Sequence, residues 1–331
     1  MMHRIELVAW LALASTAAAS AINARNCLQL EVPVSVAVNN YKILQPKIYS
    51  DSGMAEWLWD VTSWSGPNLT ERLIGIDPID EIFNVHAQLC VPPQGKRAGI
   101  LQLATHGGGF DSRCAHYYHS DCSLLTSNRY WDVAIKPEQY SYVDATIAEG
   151  YSILTYDRLG TGQSDHPEAN KVQSPVHIAI IKGLTDLARA GKLAQYSTTK
   201  GSIVSKHYKP SKIVHVGHSI GSYLTNGFLS AYGNLSDGAI LTGFLYSSKL
   251  GVVGPGYFDF QYARDQDPYL FGDRGEGYFV QGSKTAIKFN FLKYGTYEPE
   301  LAQYGYDVRQ TFTGSELYVY SFTAFLVVED P

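Results

Sequence analysis

The turn Gly217-His218-Ser219-Ile220-Gly221 constrains this chain more than any other segment. It follows the β-branched run 212–216 and opens a stretch, Ile220–Tyr232, whose spacing predicts a helix. A serine wedged between a strand and a helix must adopt a strained backbone to expose its hydroxyl. Side chains two residues to either side would collide, so glycine is needed there, and Gly217 and Gly221 supply it. The helix that follows aims its N-terminal dipole at the point where negative charge would develop. A G-x-S-x-G pentapeptide is short and often accidental. The strand before it and the helix after it make Ser219 a candidate nucleophile. His218 is its neighbour in sequence, but neighbours on such a turn point apart, so His218 reads as structural.

Around this turn, apolar strands alternate with helical patterns from about residue 98 to residue 246. Strands are expected over 98–104, 151–156, 212–216 and 239–246, and helices over 140–149, 175–190 and 220–232. Ser174 is the expected N-cap of the second helix, with Gly150 and Gly191 as terminators of the first two. The pattern implies a mostly parallel sheet with helices on both faces. Two earlier alternating segments, 28–38 and 83–91, have no helix between them and are expected to form an antiparallel edge. Residues 250–317 break the rhythm and are rich in Tyr, Phe and Gly, which suggests an inserted cap. A final apolar strand is expected over 318–328. The implied division is a leader over 1–20, a core over 21–249, the cap over 250–317 and the last core strand within 318–331.

Two glycine-rich loops follow expected strands. His106-Gly107-Gly108-Gly109-Phe110 could present backbone N–H groups to a substrate oxygen. An oxyanion hole would combine the amides of Gly107 or Gly108 with that of Ile220. No Gly-Lys-Ser/Thr follows, which disfavours a phosphate cradle. His106 is expected to brace this loop. In Asp157-Arg158-Leu159-Gly160-Thr161-Gly162-Gln163-Ser164, Asp157 and Arg158 could pair and hold the second loop.

Composition narrows the setting. A net charge of -5 with 17% charged residues leaves no electrostatic footprint for nucleic acid. The first four residues carry positive charge, 5–13 are mostly apolar despite Glu6, and 15–21 are small, which reads as an export signal. That apolar run is too short to span about 30 Å of hydrocarbon comfortably. Asn68 and Asn234 open glycosylation sequons. Cys27, Cys90, Cys114 and Cys122 match an exported chain with two disulfides; three connectivities are open, and Cys27–Cys90 with Cys114–Cys122 is the preferred one. The spacing fits no zinc pattern, and no cofactor or metal is implied.

The three motifs together resemble those of the α/β-hydrolase superfamily, and more narrowly the secreted fungal proteins of its AB-hydrolase-1 group. The resemblance covers residues 27–330. It implies a Ser, Asp/Glu, His triad in that chain order, acting on an ester, amide or peptide bond. The sequence departs from the family in two places. Residues 112–128 look like extra material ahead of Tyr130-Trp131-Asp132. All ten histidines also precede Ser219, whereas the family places its base after the last strand. Asp330 is the positional match for the family's acid, with Glu329 a weaker one.

The resemblance therefore implies a C-terminal strand, helix and catalytic histidine that are missing here, and an impaired hydrolase. Without a base, a serine hydroxyl stays protonated and weakly nucleophilic. Two alternatives accompany this reading. One is a rearranged triad using His106 or His166. The other is a non-catalytic binding protein on the same fold, whose aromatic cap holds a hydrophobic ligand. The expected partner is a small-molecule or peptide substrate, met outside the cell.

Overall fold

The computed structural model describes residues 26–63, 69–93, 97–110, 130–133, 135–201, 204–243 and 258–317. The expected leader, Asn68, Cys114, Cys122, the strand over 318–328, Glu329 and Asp330 lie outside them.

Alternating side chains in the N-terminal half build one long hairpin. Strand β1 (Asn26–Ile43) turns Leu28, Leu30, Val32, Val34 and Val36 inward and their neighbours outward. Helix α1 (Asp51–Thr62) follows, capped by the Ser50 hydroxyl, which accepts from the Gly53 N–H. Strand β2 (Leu73–Val91) then pairs antiparallel with β1 along the whole length of both. Its outer half escapes sequence reading because Gly75 and Pro78 interrupt the pattern and its side chains are mostly exposed. Pro78 is tolerated because β2 pairs on its other side only over Ala87–Cys90. Cys27 faces Cys90 in this register, and the two form the preferred disulfide.

Strand β3 (Ile100–Thr105), helix α2 (Tyr142–Ala148), strand β4 (Ser152–Tyr156), helix α3 (Ser174–Arg189), strand β5 (Lys212–His218), helix α4 (Ile220–Tyr232) and strand β6 (Gly238–Thr242) follow in alternation. The six-stranded sheet has the order β1-β2-β4-β3-β5-β6. β4, β3, β5 and β6 are mutually parallel, and β2 joins them antiparallel through β4. This is the α/β class expected from the alternation. Fully buried strands such as β4 read as continuous apolar runs because helices cover both faces.

Helix α3 lies against β1. A Cβ at Gly183 would overlap Val34, so this glycine sets the close approach. One expectation needs correction. Gln173, not Ser174, holds the N-cap position of α3, without a capping side-chain bond. The Gln173 amide instead donates to the carbonyls of Tyr41 and Asn170 and accepts from the Tyr41 N–H. Pro175 removes one of the amide donors that a cap would serve.

Residues 258–317 form a second, three-stranded antiparallel sheet: β7 (Phe260–Tyr262), β8 (Tyr278–Gln281) and, after helices α5 (Lys284–Phe291) and α6 (Pro299–Asp307), β9 (Phe312–Thr313). Phe260, Phe279 and Phe312 pack with Ile48, Met54 and Trp57, so α1 belongs to this layer despite its place in sequence. Ile220, the first residue of α4, packs against the same cluster. Among the described residues no helix is long and apolar enough to cross a membrane.

Candidate active site

Ser219 sits between β5 and α4 with φ 53° and ψ −121°. Positive φ is uncommon for a residue other than glycine and costs of order 1–3 kcal/mol, so surrounding contacts must impose it. Those contacts are visible. A Cβ on Gly217 would come within 2.6 Å of the Gly221 carbonyl oxygen and of Ser222 Cα. A Cβ on Gly221 would overlap the Thr105 carbonyl oxygen and approach that of His106 to 2.7 Å. Both glycines are therefore fixed by backbone, as the steric argument requires.

Strand β6 clamps the turn through Thr242. Its carbonyl accepts the Ser219 N–H at 2.9 Å and the Ser222 hydroxyl at 2.8 Å. Its own hydroxyl donates to Gly217 O at 3.0 Å. Nothing local in sequence marks this threonine, 23 residues downstream of Ser219, because only the parallel pairing of β5 and β6 brings it here.

The glycine loop after β3 lies against the serine. A Cβ at Gly107 would stand 3.1 Å from Ser219 Cβ, and one at Gly108 would stand 2.8 Å from Ile220 Cδ1 and overlap the Phe312 ring. Gly109 has φ +82°, open to glycine, and its carbonyl accepts the Gln310 N–H at 2.7 Å. The Gln310 side chain accepts from Gly162 N–H at 3.2 Å. The segment entering β9 thus straps the two glycine-rich loops together.

His106 braces this loop with both ring nitrogens. The Arg158 N–H donates to Nε2 at 2.9 Å, which leaves Nδ1 to donate to Gly107 O at 2.7 Å. Burial, then the Arg158 charge, holds its pKa well below the usual histidine range, so the ring is neutral. Arg158 itself forms a buried ion pair with Glu316, and His177 Nε2 lies 3.4 Å from the same carboxylate. Glu316, far away in sequence, was not foreseen as the Arg158 partner. The Asp157 carboxylate accepts the Gln163 N–H at 2.9 Å.

Among the described residues no histidine completes a triad. Among the described residues none is hydrogen-bonded to the Ser219 hydroxyl. His106 is engaged as above. His166 meets Gly162 O through Nε2 and Asp273 through Nδ1, beside a groove of about 790 Å³ that includes neither Ser219 nor the glycine loop after β3. The rearranged triad through either residue is therefore not formed. His218 Nδ1 is hydrogen-bonded to the Tyr130 hydroxyl. Among the described residues no group of three or more His, Cys, Asp or Glu side chains could hold a metal ion.

Buried neutral histidines make stability depend on pH. In β5, burial first and then the Arg189 charge push His215 down to about 4. The unfolded chain takes up that proton near pH ~6.5 and the folded protein does not. Stability should therefore fall as pH drops from about 6.5 toward 4, by as much as ~3 kcal/mol from this residue. Denaturant unfolding of His215→Gln should show a shallower acid slope than the wild type, and an identical slope would refute the assignment.

Neither a family model nor a curated protein sequence matches the chain. Several solved structures are similar to it. A probable hydrolytic enzyme from Pseudomonas aeruginosa aligns at 16% identity and a TM-score of 0.41, over 76% of this chain and 64% of that one. A thermostable carboxyl esterase from Bacillus coagulans, solved with glycerol, aligns at 16% identity and a TM-score of 0.39, over 74% and 68%. A 2-hydroxy-6-oxo-6-phenylhexa-2,4-dienoate hydrolase from Rhodococcus sp. aligns at 15% identity and a TM-score of 0.35, over 73% and 68%. The chain spans 64% of the length of the first of these, and 42% to 47% of three other solved proteins. Similarity at this level identifies neither a substrate nor a reaction.

Proposed function

We propose that this chain is an exported serine hydrolase in which Ser219 attacks an ester, amide or peptide carbonyl. The observation that carries the reading is the positive φ at Ser219, held by Gly217, Gly221 and Thr242 at the N-terminus of α4. Attack would form the Ser219 Oγ–C bond, pass the serine proton to water and move the carbonyl pair onto oxygen, where the amides of Gly107 or Gly108 and of Ile220 would receive it. Such a site removes several kcal/mol from the barrier because its dipoles need no reorganisation. Phe110, Phe258, Phe291 and Phe312 are in ring contact beside the oxyanion loop and favour a hydrophobic acyl or aryl group. Export is supported by the Cys27–Cys90 disulfide and by the exposure of Asn234 in its sequon. Asp330 stays the candidate acid of the triad.

Fluorophosphonate labelling tests the reading. Wild-type protein should take up the label and Ser219→Ala should not; equal labelling of both would remove Ser219 from the chemistry. The second reading, a non-catalytic binder of hydrophobic ligands, draws on the lack of a described histidine at the serine hydroxyl. It is favoured if the wild type resists labelling yet binds aryl esters without turnover.

A further inference from the structure

Tyr130 was not singled out by sequence, yet its hydroxyl stands at the reacting end of the site. A Cβ added to Gly107 would overlap that hydroxyl and lie 3.1 Å from Ser219 Cβ, so the phenol oxygen and the serine flank a single point. The Gly107 backbone packs against the phenol oxygen, and His218 Nδ1 shares a hydrogen bond with it. The ring is gripped by His106, Phe110 and Trp131.

Building on the serine-hydrolase reading, we propose that the Tyr130 hydroxyl is a side-chain donor to the oxyanion formed at Ser219, with His218 as its positioning residue. Two arguments converge. A hydroxyl that accepts one hydrogen bond becomes a stronger donor in the next. Burial raises the phenol's pKa, so it keeps its hydrogen and presents a donor, not a repelling charge, to the oxyanion. The phenol hydrogen stays on Tyr130 throughout. The carbonyl pair moves to the substrate oxygen as the Ser219 Oγ–C bond forms and the serine proton passes to water; it returns as the leaving group departs with its bonding pair and takes a proton from water.

The proposal also explains His218. Its Nδ1 is engaged by the phenol and not by the Ser219 hydroxyl. With Nδ1–H as the donor, it instead fixes where the phenol oxygen sits and leaves the phenol hydrogen to point at the oxyanion. His218→Asn keeps a polar atom near the Nδ1 position, whereas His218→Leu does not.

The test is the second-order rate of labelling of the full chain by a fluorophosphonate. In that reaction the Ser219 Oγ–P bond forms, fluoride leaves with the P–F pair, the serine proton passes to water, and the phosphoryl oxygen occupies the oxyanion position. Tyr130→Phe should label about a hundredfold more slowly than wild type at an unchanged melting temperature, the size typical for one lost oxyanion donor. His218→Leu should follow it and His218→Asn should retain most of the rate. If Ser219→Ala is silent while Tyr130→Phe labels at the wild-type rate, the proposal is overturned and the hydrolase reading stands. If Ser219→Ala labels like wild type, or wild type does not label, both fall. Should Tyr130→Phe not fold, equal rates for the two His218 variants overturn the proposal.

Discussion

Gly221→Ala should leave a protein that is destabilised by about 3 kcal/mol or more, a large share of the ~5–15 kcal/mol that holds a typical domain together. The new methyl group would overlap the Thr105 carbonyl oxygen and press on Thr105 C at 2.8 Å and His106 O at 2.7 Å. None of these atoms is the end of a flexible side chain. Thr105 is the last residue of β3 and pairs in register with Gly217 of β5. His106 is pinned by bonds from both ring nitrogens. Relief therefore requires α4 to slide off the strand ends, and that would undo the Ser219 geometry as well as the packing of Leu224 and Phe228. Gly233→Ala, at the other end of the same helix, provides the control. Its Cβ would meet nothing within 4 Å and its φ is −56°, so it should be neutral or slightly stabilising. Urea unfolding of the two variants side by side measures the contrast. A Gly221→Ala protein as stable as Gly233→Ala would show that the turn is not built as described.

The second large effect is expected at Arg158. Its guanidinium is 0% exposed and the Glu316 carboxylate with which it pairs is 2% exposed. Arg158→Met would strand that carboxylate in the interior beside a neutral histidine, His177, at a cost of about 3–5 kcal/mol. Glu316→Leu alone should be comparably harmful, because it strands the guanidinium. The double variant should recover much of the loss, since a buried pair replaced by apolar groups of similar volume is often close to neutral. The consequence reaches the site through the backbone. The Arg158 N–H holds His106 Nε2, and His106 holds the glycine loop beside Ser219, so the single variants should also slow any reaction at Ser219. A double-mutant cycle by denaturant unfolding reads the coupling directly, and strictly additive losses would contradict the pairing.

These two sites show what can and cannot be seen in the sequence. The Ser219 turn is legible because its determinants are local: glycines at fixed offsets, a β-branched run before and a helical run after. Helix α4 consequently begins and ends where its spacing places it, at Ile220 and Tyr232. The parallel strands are legible for the same reason, as short apolar runs between helical patterns. Helix α1 was not anticipated, since Asp51–Thr62 mixes charged, small and tryptophan residues and buries only Gly53, Met54 and Trp57. The outer half of β2 was hidden by its exposed, irregular pattern. At the site, Thr242, Glu316 and Tyr130 carry no local signature, because their roles come from chain segments that meet only after folding. The Glu316 partnership, 158 residues from Arg158, illustrates the limit best: a lone glutamate in an apolar stretch announces burial but not its counter-ion.

The most direct measurement of the central claim is a crystal structure of the protein after fluorophosphonate treatment. The account expects a covalent bond from Ser219 Oγ to phosphorus, a positive φ at that residue, and the phosphoryl oxygen within hydrogen-bond reach of the Gly108 and Ile220 amides. An unmodified Ser219 with an ordinary negative φ, or a phosphonate attached to a different side chain, would contradict it.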